Sequence, residues 1–269
     1  MNFEEVCRAI QEARIQGATN VAKAATKALL LKSDKNSVNR LLNLRSTEPT
    51  LRNAIHNALS FKDIREGVKK TLKYFDESDD KIAKLGASKI KSGMNIFIHC
   101  HSNTLMKVLI EAKRQGKRFT VHGTETRPLY QGRISASDLS KEGIPVVHYV
   151  DSAARIALKK CDISFFGADA ITKKKVYNKV GSEMFAMIAE KLKVPVYICA
   201  DSWKFSPQEE IIEHRAPKEV WQSPPRGVKI ENPSFEKIDP KLIKGIISEL
   251  GVLTHQAFLR KVKATYPFI

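Results

Sequence analysis

The hydrophobic pattern of the chain changes at Met94, and this change limits the possible folds more than any other feature. Beyond it, short apolar runs alternate with stretches of helical periodicity. Strands that alternate with helices imply βαβ units and a parallel, doubly wound sheet. The expected strands are residues 95–99, 119–122, 146–150, 163–166 and 194–199, and the expected helices are residues 105–115, 137–142, 153–160 and 182–191.

The two ends of the chain complete the predicted fold. The first 90 residues carry apolar side chains at helical spacing, and Gly93 is a helix-stop signal. Toward the other end, residues 228–230 and 243–254 are expected to add edge strands and a last helix. The predicted fold class is α/β, with a Rossmann-like parallel-sheet domain (93–269) preceded by a smaller helical N-terminal domain (1–92). Helices are expected over residues 3–31 with a break near Gly17, after Pro49, over 64–75 and over 82–90.

Composition and charge exclude several classes of protein. No apolar run approaches the roughly 18 residues that span a bilayer, and the acidic start of the chain lacks the layout of a signal peptide. We therefore expect a cytoplasmic protein without a membrane span. The net charge of +17 suggests nucleic acid, but the charge is spread along the chain and forms no basic arm. A lysine-rich surface with a local positive pocket for an anionic substrate is the favoured interpretation.

Polar side chains follow every predicted strand, at the edge where parallel sheets bind ligands. Helix capping accounts for acidic residues such as Asp151 and Asp201. It does not account for Cys100, Arg127 and Asp169 together. We therefore expect a polar site around Cys100 and Asp169.

Cys100 precedes a predicted helix that begins near Asn103. A helix N-terminus favours an anion, so the thiolate form is expected. A structural thiol remains an alternative, as does a weaker metal site with His99 and His101. In a strand the two histidines would share one face and Cys100 the other.

The sequence offers little support for cofactor chemistry. It has no Walker-type loop and no Gly-x-Gly-x-x-Gly after a strand, so nucleotide-dependent phosphotransfer and dinucleotide redox chemistry are disfavoured. Lys179 stands just before a predicted helix, an arrangement that suits a phosphate group.

Five ordered motifs resemble those of one superfamily. It contains archaeal ribose-1,5-bisphosphate isomerase, methylthioribose-1-phosphate isomerase, and the alpha, beta and delta regulatory subunits of translation initiation factor two-B. Residues 45–54 and 16–18 look like two further family segments in the helical part. The motifs are Ile-His-Cys-His-Ser (98–102), Thr-Glu-Thr-Arg-Pro with Gln-Gly (124–128, 131–132), Val-Asp-Ser-Ala-Ala (150–154), Gly-Ala-Asp-Ala-Ile (167–171) and Asn-Lys-Val-Gly (178–181).

The resemblance implies an aldose–ketose isomerase that converts ribose 1,5-bisphosphate to ribulose 1,5-bisphosphate. The Cys100-His101-Ser102 run favours this group over the methylthioribose enzymes. A non-catalytic regulatory subunit is the competing class, and the discriminating feature is the Cys100/Asp169 pair, which a pure binding protein does not need. The family also implies a homo-oligomer built from dimers.

The resemblance assigns roles to individual residues. Asp169 would be the acid/base at the ring oxygen and Cys100 the acid/base at carbon, with no metal or organic cofactor. Gln16 stands where the family has a basic residue, and Arg14 is the candidate to replace it. The expected substrate-binding residues are Gln16, Gly17, Ala18, Arg45, Arg127, Gln131, Asp151, Asn178 and Lys179.

Overall fold

Five helices form the N-terminal part of the chain in the computed structural model, which describes residues 1–12, 14–15, 17–45 and 48–269. Local signals set their starts: Asn2 and Glu5 form a capping box, the Asp34 side chain accepts from two amides of its helix, and Pro49 occupies a first-turn position. The helices are α1 (Phe3–Gln11), α2 (Ala18–Ala28), α3 (Lys35–Leu42), α4 (Pro49–Leu59) and α5 (Ile64–Ala87).

One prediction for this part was wrong, and one helix was missed. One continuous helix, α5, replaces the two expected over residues 64–75 and 82–90, because the polar segment between them stays helical. Asp79 lies within that segment and is buried beside Lys107 of the next helix. Helix α3 was not predicted, since it buries little more than Leu41 and carries only a weak apolar pattern.

The remaining chain alternates strands and helices as predicted. Strands β1 to β10 are Asn95–Ile98, Thr120–Thr124, Val146–Tyr149, Ile163–Phe166, Ala170–Ile171, Val176–Lys179, Val196–Cys199, Phe235–Ile238, Gly245–Ser248 and Gly251–Leu253. Helices α6 to α10 are Asn103–Arg114, Gln131–Lys141, Ala154–Leu158, Ser182–Lys191 and His255–Thr265.

The main sheet has seven strands in the order β10-β9-β7-β4-β1-β2-β3. All its pairs are parallel except β9 with β10, which confirms the α/β class. Successive side chains of β1 and β4 point to opposite faces of the sheet and enter two hydrophobic cores. Phe97 and Phe166 belong to one core, and Ile96 and Phe165 belong to the other. From β1 the chain builds outward to β3, then returns to place β4 on the opposite side of β1. The crevice between β1 and β4 is thus the topological switch point.

A second sheet was not predicted from the sequence. Strands β5, β6 and β8 pair antiparallel and bring Asn178 and Lys179 to the end of β6. The edge strand expected over residues 228–230 is wrong, because these residues are largely exposed and without regular structure. The two-domain division at residues 92/93 stays a prediction.

Candidate active site

Cys100 and Asp169 both lie at the switch point of the main sheet. Cys100 is two residues beyond β1 and Asp169 three beyond β4, and these strands are hydrogen-bonded neighbours, with Ile98 paired to Phe165. A Cβ atom added to Gly167 would lie 2.9 Å from the Cβ of Ser102. Glycine is therefore required at residue 167 for the two strand ends to approach.

A cavity of about 400 Å³ opens at this point. It is bounded by the ends of β1 and β4, the start of α2, the start of α6 and the segment that follows β7. The N-termini of two helices therefore border it, an arrangement that favours anions. Eight of the expected site residues line it: Gly17, Ala18, Arg45, Cys100, Gln131, Asp169, Asn178 and Lys179.

Two of the expected site residues, Arg127 and Asp151, are not among the described residues that line the cavity. Gln16 lies outside the described residues, whereas Arg14, its candidate replacement, does line the cavity. The exposed Arg127 donates from Nη2 to the Val220 carbonyl (2.9 Å) and from Nη1 to the Tyr130 hydroxyl (2.6 Å). The Asp151 carboxylate accepts from the amides of Thr126 (2.9 Å) and Arg127 (2.8 Å) and so holds the turn after β2.

The backbone at Cys100 is held in an unusual conformation. Its φ of 67° and that of Thr126, 60°, lie in the left-handed region that non-glycine residues avoid. The Cys100 amide donates to Thr126 Oγ1 at 3.0 Å, so Asp151 supports Cys100 through Thr126. Such strain costs about 1–3 kcal/mol per residue and is concentrated at functional sites.

The thiol of Cys100 does not have the low pKa that the helix N-terminus led us to expect. Burial raises its pKa to about 11, the Lys179 ammonium opposes this, and Asp169 adds to it. Desolvation of the thiolate thus outweighs the favourable field of the helix. The opposing effect of Lys179 is already included in this value, so the thiol is the main form at neutral pH and the thiolate the minor one.

Asp169 is in an environment that favours its protonated form. Burial raises its pKa, while Lys204, Lys179 and Arg45 partly offset that effect. Its side chain makes no hydrogen bond to any described residue. A carboxyl group with a raised pKa and no protein partner is suited to donate a proton to a ligand.

Two buried lysines line the cavity without a close protein partner. Lys179 is 7% exposed and Lys204 is 6% exposed. Among described residues neither ammonium has a carboxylate within 4.0 Å, although Lys179 lies 5.5 Å from the centre of the Phe235 ring. Leaving an ammonium buried without a direct partner is costly, so this arrangement favours an anionic ligand.

The arginines of the cavity are paired instead. Arg45 Nη2 contacts Glu48 at 3.1 Å and Glu213 at 3.8 Å. Arg215 Nη2 contacts Glu219 at 2.7 Å, and its Nη1 lies 3.7 Å from Glu213.

Several uncharged or acidic groups in the cavity lack a partner. The buried atoms Gln131 Oε1, Ser234 Oγ and Glu48 Oε2 line it and form no hydrogen bond to the protein. Buried polar atoms are normally satisfied, and two of these three are acceptors, so their presence in one cavity favours a ligand that carries hydroxyl groups.

The histidines beside Cys100 are held by the protein. His99 bonds to Thr124 Oγ1 (2.7 Å) and the Val180 carbonyl (3.0 Å). His101 bonds to Ser135 Oγ (3.1 Å) and Asn103 Oδ1 (3.0 Å). Within the described part of the chain, no group of three His, Cys, Asp or Glu side chains could hold a metal ion.

Sequence reasoning gave no site role to Glu48, Lys204, Glu213, Arg215 and Ser234, which also line the cavity. Lys204 could have been found, because it follows the fifth predicted strand in the segment that begins at Asp201. The last three flank a loop without periodicity, where only pairing of residues 213–215 with 232–234 brings them to the cavity.

Comparison with known proteins identifies the family. The sequence matches the Initiation factor 2 subunit family over residues 4–255. The chain belongs to this family. A Methanocaldococcus jannaschii protein named ribose 1,5-bisphosphate isomerase is 34% identical, with 94% of this chain and 92% of that protein covered.

Other members of the family carry different names. A Caldanaerobacter subterraneus protein named methylthioribose-1-phosphate isomerase is 31% identical, over 93% of this chain and 87% of its own length. The crystal structure of a Pyrococcus horikoshii protein, titled translation initiation factor eIF-2B, matches with a TM-score of 0.85 at 25% identity and covers 94% of this chain and 96% of that one. No described helix is long and apolar enough to cross a membrane.

Proposed function

We propose that this protein is an aldose–ketose isomerase that converts ribose 1,5-bisphosphate to ribulose 1,5-bisphosphate. The observation that carries the proposal is the cavity in which two buried lysines, without a carboxylate partner among the described residues, lie with Cys100 and Asp169. A pure binding protein could use the lysines, but it has no need of a strained cysteine beside an aspartate of raised pKa. Relatives with the corresponding name support the same substrate.

The reaction transfers one proton from C2 to C1 and opens the ring. Asp169 donates a proton to the ring oxygen as the bond from C1 to that oxygen breaks, while the Cys100 thiolate removes the proton from C2. This gives an enol with a C1–C2 double bond. The Cys100 thiol then protonates C1, and the Asp169 carboxylate takes the proton of the C2 hydroxyl, which leaves a ketone. Both residues return to their starting forms, and each such group typically contributes about 10²–10⁴-fold.

The lysines have separate roles in this scheme. Lys179 lowers the pKa of Cys100, so it stabilises the thiolate that the first step requires. Lys204 is the leading cation on Asp169 and is assigned to a phosphate group. Gln131 and Asn178 orient hydroxyl groups. Five cationic residues line the cavity against three acidic ones, a balance that favours two phosphates over the single phosphate of methylthioribose 1-phosphate: Arg14, Arg45, Lys179, Lys204 and Arg215 against Glu48, Asp169 and Glu213.

The protein is further proposed to act in the cytoplasm as a homo-oligomer built from dimers. Apolar side chains are exposed on edge strand β3 and on nearby residues, among them Val147, Val150 and Ile156. Exposed apolar patches commonly mark protein interfaces. Light scattering coupled to size-exclusion chromatography would show a monomer if this is wrong.

The function is tested by mixing the purified protein with ribose 1,5-bisphosphate and measuring ribulose 1,5-bisphosphate. Cys100→Ser and Asp169→Asn should each lower kcat by at least about 10³-fold while circular dichroism shows an unchanged fold. The matched control is Cys161→Ser, which alters a buried thiol outside the cavity. Turnover of methylthioribose 1-phosphate alone would assign the other isomerase activity, and turnover of neither sugar would favour a regulatory subunit.

A further inference from the structure

Glu48 is a buried acid in the cavity that the scheme above leaves without a role. It immediately precedes α4, in the position of a helix cap, yet its side chain caps nothing. The side chain turns inward and the residue is only 3% exposed. A carboxylate is rarely buried to this degree unless something binds it.

The two oxygens of this carboxylate have different surroundings. Oε1 accepts from Arg45, with contacts of 3.2 Å to Nε and 3.1 Å to Nη2. Oε2 is buried and bonds to no protein group. An ionised carboxylate oxygen can accept two hydrogen bonds, and leaving a buried one empty is costly. The pairing of Oε1 with Arg45 therefore leaves Oε2 as a buried acceptor without a partner among the described residues, in a side chain that lines the cavity.

The electrostatic neighbours of Glu48 are the groups of the proposed reaction. Burial raises its pKa, Arg45 lowers it, the Asp169 carboxylate raises it and Lys204 lowers it. The net effect is a raised pKa, and Arg45 and Lys204 limit that rise in favour of the charged form that a hydroxyl-binding acceptor needs. Glu48 acts on the same part of the cavity as Asp169.

Resting on the proposed function, we propose that Glu48 Oε2 accepts a hydrogen bond from the C3 hydroxyl of the bound sugar and so determines specificity for an unmodified ribose ring. The choice of hydroxyl follows from the chemistry. Asp169 serves the ring oxygen and then the C2 hydroxyl, which must lose its proton to become the ketone. The C3 hydroxyl is the other ring hydroxyl, and the scheme gives it no charged acceptor. Loss of a hydrogen-bonding group from a substrate is strongly penalised when it leaves a buried acceptor unpaired.

The test is a double-difference cycle, in which kcat/KM is measured for two proteins on two sugars. Wild type and Glu48→Gln are assayed with ribose 1,5-bisphosphate and with 3-deoxyribose 1,5-bisphosphate, which keeps the C2 hydroxyl and can still be isomerised. The glutamine side chain would keep the shape and an oxygen for Arg45, but its amide nitrogen cannot accept from a hydroxyl. The variant should lose about 10- to 100-fold in kcat/KM on the full sugar and about twofold or less on the 3-deoxy sugar.

Equal losses on both sugars would overturn the assignment, because they would mean that Glu48 acts only by holding Arg45. Glu213→Gln is the matched control: Glu213 also contacts Arg45, and its removal should affect both sugars by the same factor. If Glu48→Gln does not fold, Glu48→Asp is used instead, because it keeps the charge on a side chain that is shorter by one methylene group. The same unequal losses on the two sugars are expected. Failure of the wild type to turn over ribose 1,5-bisphosphate would instead overturn the proposed function, and this assignment with it.

Discussion

Four of the five cationic residues that line the cavity fall into two sets with opposite surroundings. Lys179 and Lys204, the lysine side, are buried and have no carboxylate within ion-pair distance among the described residues. Arg45 and Arg215, the arginine side, each contact a carboxylate at about 3 Å and share Glu213. A cation already paired in the protein is held in position. A buried cation without a direct partner gains the most when an anion binds.

This difference assigns the stabilisation of anions mainly to the lysine side, with a phosphate at Lys204 and the Cys100 thiolate at Lys179. Substitutions on the two sides test this assignment. Lys204→Met should lower kcat/KM for ribose 1,5-bisphosphate by about 10²–10³-fold, chiefly through KM. Lys179→Met should lose a similar factor, chiefly in kcat, because the thiolate of Cys100 loses its cation. Arg215→Met, the matched control, should lose about tenfold. A larger loss for Arg215→Met than for both lysine variants would reverse the comparison.

Asp201, three residues before Lys204, tests the electrostatic surroundings of the lysine side. Burial raises its pKa from an ordinary 3.8 to about 7, with Lys204 opposing. The folded state therefore holds a proton that the unfolded chain releases, so this contribution to stability is full below about pH 4 and is lost as the pH rises through about 7.

Urea unfolding of wild type and Asp201→Asn between pH 4.5 and 8 measures this. Across that range the wild type should lose on the order of a few kcal/mol relative to the variant. If the free energies of unfolding of the two proteins changed with pH in parallel, Asp201 would have an ordinary pKa and the surroundings of Lys204 would be hydrated.

Gln131 tests whether the uncharged groups of the cavity bind substrate. Because its Oε1 makes no protein hydrogen bond, Gln131→Leu should weaken substrate binding by about tenfold while the free energy of unfolding stays unchanged. Gln115→Leu, an exposed residue of the same type that bonds to Glu111, is the control. A loss of stability without a loss of affinity would make Gln131 a structural residue.

Arg127 should give the smallest effect, although the sequence favoured it as a phosphate ligand. Its guanidinium bonds to Val220 and Tyr130 outside the cavity, and exposed contacts of this kind contribute little. Arg127→Met should change kcat/KM by about threefold or less. Arg133→Met, which removes the other guanidinium over the Tyr130 ring, is the comparison. A loss of about 10²-fold would place Arg127 among the phosphate ligands.

The sequence predicted the parallel sheet because buried parallel strands leave a strong apolar signal. It also predicted that Cys100 and Asp169 share an edge, since strand ends of a parallel sheet meet there. Strands β5, β6 and β8 were missed because they form a separate antiparallel sheet that does not follow the strand–helix alternation, and because β8 pairs with a strand distant in the chain. Arg215 and Ser234 were missed for the same reason.

Two electrostatic features also lay beyond sequence reasoning. The helix N-terminus beside Cys100 was visible in the sequence, but the burial that raises the pKa of its thiol was not. The pairing of Arg45 and the lack of a partner for Lys204 likewise depend on residues distant in the chain. Local patterns predicted which residue types meet, and tertiary packing determined which of them remain available to a ligand.

The central claim is that the lysine side binds the sugar phosphate, and ligand-induced stabilisation tests it most directly. The inactive Cys100→Ser protein is melted with and without ribose 1,5-bisphosphate, beside the same protein with Lys204→Met or Arg215→Met added. At 100 times Kd the ligand should stabilise Cys100→Ser by about 2.7 kcal/mol. We expect Arg215→Met to keep most of the resulting rise in Tm and Lys204→Met to lose it. An undiminished rise in Tm with Lys204→Met, or none in Cys100→Ser itself, would contradict the account.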